Sequence, residues 1–332
     1  MRHFNIPIFV PHYGCPFDCV FCNQRHITGE RDRVTGESVR TIIRRHLETL
    51  PRTDRYVEAA FFGGSFTAVD KSLQNELLSA AYEFKKRGEI DGIRLSTRPD
   101  FIDDDIMQNL VAHGVTTVEL GVQSMDDAVL AKSGRGHSAA DVVNAVGVIK
   151  KYPVALGLQM MTGLPGDTDS GAVATAEKII ALAPDFVRIY PTLVIRDTRL
   201  CKMYERGEYA PQGLDAAARL CAELWEKFAR AGIDVIRVGL AATEEISPGG
   251  ALMAGPYHAA FGELCMGEVF RRKMSVLLAG DSAAVFAVNP KDISKAVGNG
   301  GRNIAAFAEK NIKIEIKQDC AIKRGELVRL DK

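Results

Sequence analysis

Cys15-Pro16-Phe17-Asp18-Cys19-Val20-Phe21-Cys22 sets three thiols within eight residues, in the spacing C-x3-C-x2-C. Thiolates this close can converge on one metal centre. A structural zinc ion normally takes four ligands, with a second pair nearby, and this stretch offers three. Three thiolates on a four-iron cluster would leave one iron open, and a reactant can occupy that position. The other cysteines, Cys201, Cys221, Cys265 and Cys320, lie far apart and read as packed thiols, since free cysteine is among the most buried residue types. In a reducing compartment a disulfide framework is not expected.

The elements that must carry this loop follow from periodicity. Short apolar runs alternate with amphipathic stretches, the pattern of parallel βα units. Strands are expected at Ile6 to Pro11, Tyr56 to Phe62, Gly92 to Ser96, Val115 to Leu120, Val154 to Met160, Phe186 to Tyr190 and Val235 to Val238. Helices are expected at Lys71 to Lys86, Asp103 to His113, Ala139 to Lys150 and Leu214 to Ala231. The fold class is therefore α/β, a partial or near-complete parallel (β/α) barrel. Chemistry in such a barrel collects where strands end in loops. The loops after the second to fifth strands are Gly63-Gly64-Ser65-Phe66, Thr97-Arg98-Pro99-Asp100, Gly121-Val122-Gln123-Ser124 and Gly163-Leu164-Pro165-Gly166. Taken singly, each is as well explained by a turn. Glu119, in an apolar strand, should be paired or face the barrel lumen, because an unpaired buried carboxylate is costly. Asp103-Asp104-Asp105 reads as a helix start, where acidic groups favour the macrodipole.

Among 332 residues, 46% are hydrophobic and 25% charged, which excludes disordered, collagen-like and coiled-coil classes. Lys plus Arg and Asp plus Glu number 42 each, so no whole-molecule field draws the chain to nucleic acid or an anionic membrane. No run reaches the ~20 apolar residues of a membrane span, and the expectation is a cytoplasmic protein without a membrane partner. The charge is uneven, however. Residues 267 to 332 hold 13 Lys or Arg against 8 Asp or Glu. A boundary is placed near Glu263 to Gly267, giving a barrel domain over 1–266 and a basic module over 267–332. The module reads as strand, helix, Gly298-Asn299-Gly300-Gly301, helix, strand, an order that resembles a KH core. In such modules a glycine loop lets a nucleic-acid backbone approach closely. Lys291, Lys295 and Arg302 would neutralise phosphate. The competing reading is a compact cap on the barrel.

The cysteine spacing, with Phe21 before the third cysteine, resembles the signature of the radical S-adenosylmethionine superfamily. The resemblance implies a 4Fe-4S cluster on Cys15, Cys19 and Cys22, with S-adenosylmethionine chelated by the open iron and cleaved to a 5′-deoxyadenosyl radical, chemistry that belongs to the cofactor. It implies a cofactor-binding role for Phe21, Gly63, Gly64, Ser65, Thr97, Gln123, Arg135 and Gln159. The Gly63-Gly64 main chain would meet the methionine amino group, and Gln123, Arg135 and Gln159 the ribose and carboxylate, as in the branch containing oxygen-independent coproporphyrinogen oxidase. Ser65 stands where the superfamily carries an acid. Ser96-Thr97-Arg98-Pro99-Asp100, Val118 through Ser124, Arg135-Gly136-His137, Ile189 through Arg196 and Tyr257-His258 further resemble, in order, the radical domain of the Elongator catalytic subunit, which modifies the wobble uridine of tRNA. An acetyltransferase domain is not expected, so acetyl-CoA chemistry is not carried over. Tyr190 and His258, with Arg196, Arg237 and Tyr257, would line the substrate face. His12 and Tyr13 could shield the cluster, and Asn23 through His26 need not read the same substrate. The expected partners are RNA, most readily tRNA, and a reductase or a flavodoxin- or ferredoxin-type electron donor. The alternatives are a radical enzyme of a small metabolite such as a porphyrinogen, and a non-catalytic iron-sulfur RNA-binding protein.

Overall fold

The computed structural model describes residues 2–10, 15, 17–22, 34–240 and 249–330. His12, Tyr13 and Asn23 through His26 lie outside the described residues. Seven strands among those described form one parallel sheet: β1 (Arg2–Val10), β2 (Arg55–Gly63), β3 (Gly92–Thr97), β4 (Thr117–Gln123), β5 (Ala155–Thr162), β6 (Phe186–Pro191) and, after a short β7 (Val194–Ile195), β8 (Asp234–Val238). Their order is β1-β2-β3-β4-β5-β6-β8. The sheet runs in sequence order and leaves β1 and β8 as its edges, so the barrel is open, as the partial-barrel expectation allows.

Seven strand runs were legible because β-branched and apolar residues fill both faces, as in any parallel sheet covered by helices. Ile6, Ile8 and Val10 of β1 and Val57, Ala59 and Phe61 of β2 are buried in the main core. The strand start at Arg2 came earlier than expected. Its first residues are polar and mostly exposed, and it is the register with β2, Arg2 opposite Arg55 through Val10 opposite Gly63, that makes them strand.

The helices are α1 (Gly36–Thr49), α2 (Lys71–Lys86), α3 (Asp104–Ala112), α4 (Asp127–Lys132), α5 (Ala139–Ile149), α6 (Asp169–Ala181), α7 (Arg199–Glu205), α8 (Leu214–Arg230) and α9 (Phe261–Leu278). Side-chain caps fix several starts. The Asp70 carboxylate accepts the Ser72 N–H before α2, and Asp103 accepts the Ile106 N–H before α3, each cap contributing about 1 kcal/mol. The acidic run at 103–105 is thus a helix start, as expected. Leu77, Leu78 and Phe84 of α2 are buried, each contributing on the order of 1.5–3 kcal/mol.

The expected boundary at 263–267 falls inside α9, one unbroken helix. Leu264 and Cys265 pack in the barrel core, whereas Phe270, Met274 and Leu278 belong to a second core with Phe286, Val288 and Phe307. The shift in charge marked a change of surface, and a change of surface needs no break in the backbone. Beyond α9, β10 (Ala283–Val288) pairs in parallel with β11 (Lys313–Gln318) and antiparallel with β12 (Leu327–Arg329); α10 (Ile293–Val297), the glycine loop and α11 (Arg302–Ala308) make the crossover. The strand–helix–loop–helix–strand order is present. β12, three residues long, gave no periodic signal. A second short pair joins β7 to β9 (Leu252–Ala254). Among the described residues, no helix is long and apolar enough to cross a membrane.

Candidate active site

At the C-terminal edge of the sheet lies a cavity of about 170 Å3. Cys15, Cys19, Phe21 and Cys22 form one wall; Gly63, Gly64, Ser65, Thr97, Gly121, Gln123, Arg135 and Gln159 form the rest, with Ser96, Arg98, Glu119 and Leu120. All eight residues expected to hold S-adenosylmethionine meet the three cysteines in one hollow. They come from the first loop, from β2 to β5 and the loops that follow them and, for Arg135, from the turn between α4 and α5, so the parallel strand order gathers most of them.

The cysteine loop is pinned from several sides. Val20 N–H donates to Ser133 O (3.0 Å), Leu200 N–H to Val20 O (2.7 Å), and Cys22 N–H to Cys19 O (3.0 Å). Phe17 lies against Gly136, where a Cβ would come within 2.3 Å of the ring. Glycine is required there. Arg135 ties the loop to β4: Nη2 donates to Gly121 O (2.6 Å) and Nη1 lies 3.7 Å from Cys19 Sγ.

The opposite wall is shaped by close backbone approach. Gly63 has φ +115°, and a Cβ on it would stand 2.3 Å from Phe9 Cε2 and 2.6 Å from Val10 O. A Cβ on Gly121 would meet Arg135 Nη2 at 2.6 Å. Gln123 adopts φ +67° just past an irregularity in the β4–β5 register. A non-glycine residue in that region carries strain, which clusters at sites whose geometry is over-determined by the surroundings. Gln159 Nε2 donates to Gln123 Oε1 (3.0 Å), holding the two amides together. Ser65 and Thr97 are joined through their hydroxyls (2.8 Å), and Thr67 Oγ1 lies 2.5 Å from Thr97 Oγ1. Where an acid was the family pattern, this chain has a neutral hydroxyl network.

Beneath the cavity runs a buried charge ladder. Arg188 holds Glu119 through two hydrogen bonds (2.6 and 3.1 Å); Arg94 Nε stands 3.5 Å from Glu119 and 3.3 Å from Glu58; Glu58 also meets His3 (2.7 Å) and accepts from Thr117 (3.0 Å). Glu119 is therefore both paired and turned to the cavity. Glu58, Arg94 and Arg188 went unremarked in the sequence. Their signal was a charge set into each of three apolar strands. His137, buried beside Arg135, donates its Nε2–H to Val122 O (3.2 Å). Burial, then Arg135 and Arg98, push its pKa down to about 4.

Other expected residues lie elsewhere. Tyr190 does not line the cavity; its hydroxyl accepts from Arg188 Nη1 (3.3 Å), and its ring packs near Phe21 against Met161 and Leu164. His258 is also outside it, and its Nδ1 is spent accepting the Ala260 N–H (3.0 Å) at the entry to α9. That bond fixes the tautomer with the ring proton on Nε2. Arg237 is exposed on the edge strand β8, and Tyr257 packs against Leu193 and Ile195. In the C-terminal region, Lys295 pairs with the buried Asp292 (3.0 Å) and Arg302 with Asp215 of α8 (3.1 Å), while Lys291 is exposed. Gly298 is packed against Asn303; Gly300 and Gly301 have φ +62° and +80° and open space around them.

The donor set fits an iron-sulfur cluster. Three soft thiols line one cavity, the donor type that holds iron-sulfur clusters; among the described residues no group of three or more His, Cys, Asp or Glu is placed to hold a metal ion. Arg135 Nε and Arg98 Nη1 are buried with no hydrogen-bond acceptor among the described residues. Such orphans point to an absent anionic or polar group.

An open parallel barrel with three cysteine thiols facing a glycine cradle at the ends of its strands defines a cofactor-binding barrel. The chain belongs to the radical SAM superfamily: that family's model matches residues 9–179, and a radical SAM C-terminal domain matches 184–270. It is 26% identical over 239 residues to a tRNA uridine(34) acetyltransferase of Methanocaldococcus infernus, covering 62% of this chain and 45% of that protein. It is 29% identical over 215 residues to Elongator complex protein 3 of Schizosaccharomyces pombe, covering 57% of this chain and 40% of that one. The chain thus spans less than half the length of these relatives. Archaeal M. infernus Elp3 has the same fold over 82% of this chain and 68% of its own, with a TM-score of 0.62 at 21% identity. Escherichia coli coproporphyrinogen III oxidase, a radical SAM enzyme, matches at a TM-score of 0.50 and 16% identity over 70% of this chain and 52% of its own.

Proposed function

We propose that this chain is a radical SAM enzyme that modifies tRNA. The observation that carries the reading is the convergence of Cys15, Cys19 and Cys22 with Gly63, Gly64, Gln123, Arg135 and Gln159 on one cavity. The tRNA substrate is supported by the relatives named for the wobble uridine and for Elongator.

The three cysteines would bind a 4Fe-4S cluster, and Phe21 would pack beside it. When bound, the cluster and S-adenosylmethionine supply an electron and a 5′-deoxyadenosyl radical. The chain's own residues position and shield. Gly63 brings its main chain within reach of an ammonium because no side chain intervenes. Arg135, already tied to Gly121 and Cys19, would offer its Nε–H, which has no acceptor among the described residues, to a carboxylate. The Gln123–Gln159 amides present donors and acceptors suited to ribose hydroxyls. Ser65 and Thr97 close the wall without adding charge. Tyr190 sits beyond Phe21, held by Arg188, where it would border the substrate. The C-terminal module would contact RNA through the exposed Gly300–Gly301 turn and Lys291, with Arg302 available only if it leaves Asp215.

Mass spectrometry of tRNA nucleosides from cells with and without the gene tests this reading. A nucleoside lost with the gene is the expected result. An unchanged nucleoside profile, with purified protein that retains no RNA but holds a tetrapyrrole, would move the reading to a small-metabolite enzyme.

A further inference from the structure

Arg98 was not among the residues expected at the site, yet it is the largest fully buried side chain among the described residues and lines the cysteine cavity. It follows β3 and opens a short helical turn at Pro99–Phe101. Its backbone N–H donates to Ser65 Oγ (3.2 Å). Asp100 takes two of its guanidinium donors, Nε to Oδ1 (2.9 Å) and Nη2 to Oδ2 (2.8 Å). Nη1 is left buried with no acceptor among the described residues. The guanidinium lies 4.4 Å from the centre of the Phe17 ring, inside the cysteine loop, and Phe17 is in turn wedged on Gly136.

A fixed fork pinned by a carboxylate and laid on an aromatic face cannot swing away. A buried N–H donor without a partner costs about 1–3 kcal/mol. One-electron reduction adds a negative charge to an iron-sulfur cluster, and nearby charge and N–H donors set its potential. We propose that Arg98 is a positioning residue that tunes the cluster: stacked on Phe17, it fixes the cysteine loop and places a buried cation in the cavity that the three cysteines line, raising the reduction potential, while Asp100 limits that rise. The electron itself comes from an external low-potential donor of the flavodoxin or ferredoxin kind. The inference rests on the reading that Cys15, Cys19 and Cys22 hold a cluster.

The test uses the full chain, reconstituted anaerobically, with iron and sulfide measured per chain and the midpoint potential read by EPR-monitored redox titration without S-adenosylmethionine. Arg98→Met should weaken reduction about tenfold, a fall of about 59 mV for one electron. Asp100→Asn should shift the midpoint the other way, and Arg98→Lys should stay near wild type because it keeps the charge. A merely structural role would not order three variants by charge. If Arg98→Met fails to load iron, Asp100→Asn and Arg98→Lys carry the test, and a midpoint unchanged by Asp100→Asn overturns the proposal. Loaded clusters whose midpoints ignore all three substitutions overturn it alone. Wild-type protein that takes up no iron overturns the cluster reading beneath it.

Discussion

The cysteine cavity and the glycine loop of the C-terminal region both join glycines to basic side chains, but they use their polar groups differently. In the cavity, Arg98 and Arg135 each keep a buried N–H without an acceptor among the described residues. In the C-terminal region, Lys295 and Arg302 are committed to Asp292 and Asp215, and Asn303 Nδ2 donates to Gly267 O and Ala296 O. Unspent buried donors point to a missing partner, whereas spent ones explain themselves. The difference teaches that a basic composition is a weaker sign of binding than a cation whose hydrogen bonds are incomplete.

The contrast can be broken most directly at the thiols. Cys22→Ala should abolish cluster loading, read as iron per chain and as 5′-deoxyadenosine formed, while leaving RNA affinity unchanged. A variant with full iron and full cleavage would refute the ligand assignment. Glu119→Gln removes the shared counter-charge of Arg188 and Arg94, and breaking a buried pair typically costs about 3–5 kcal/mol. A urea midpoint equal to wild type would show that the ladder contributes little.

His137 gives a pH signature of the cavity wall. Its folded pKa, near 4, lies below the ordinary 6.5. Between those values the unfolded chain takes up a proton that the folded chain refuses, so stability falls as the pH drops from 6.5 towards 4. The loss is at most about 3 kcal/mol. His137→Gln should flatten that slope in urea unfolding at pH 7 and 5, and an unaltered slope would place the titration elsewhere. The smallest expected effect lies in the C-terminal region. Gly300→Asp with Gly301→Asp should weaken RNA binding about tenfold, about 1.4 kcal/mol, by filter retention at fixed salt, with cofactor cleavage intact. Unchanged affinity would reduce this region to a cap.

Much of the fold was legible because parallel strands buried on both faces read as apolar runs, and because Asp70 and Asp103 mark their helix starts by capping. The α2 limits, Lys71–Lys86, match the expected ones for that reason. The polar start of β1 and the three residues of β12 were not legible, since pairing with β2 and β10 makes them strand. The cavity residues were legible as loop motifs through family resemblance. Arg98 was quoted within such a motif and passed over, because nothing in a sequence tells a buried guanidinium with a spare N–H from an exposed one.

By itself, then, the sequence determined three thiols at fixed short spacing and the βα alternation that requires a parallel sheet, because both are properties of neighbours along the chain. Tertiary structure decided which distant groups meet. It alone set Glu58, Arg94, Glu119 and Arg188 into one ladder, laid Arg98 over Phe17, removed Tyr190 and His258 from the cavity, and paired Arg302 with Asp215 eighty-seven residues away. Those outcomes depend on burial and on which charge lies opposite, and neither exists until the strands have come together.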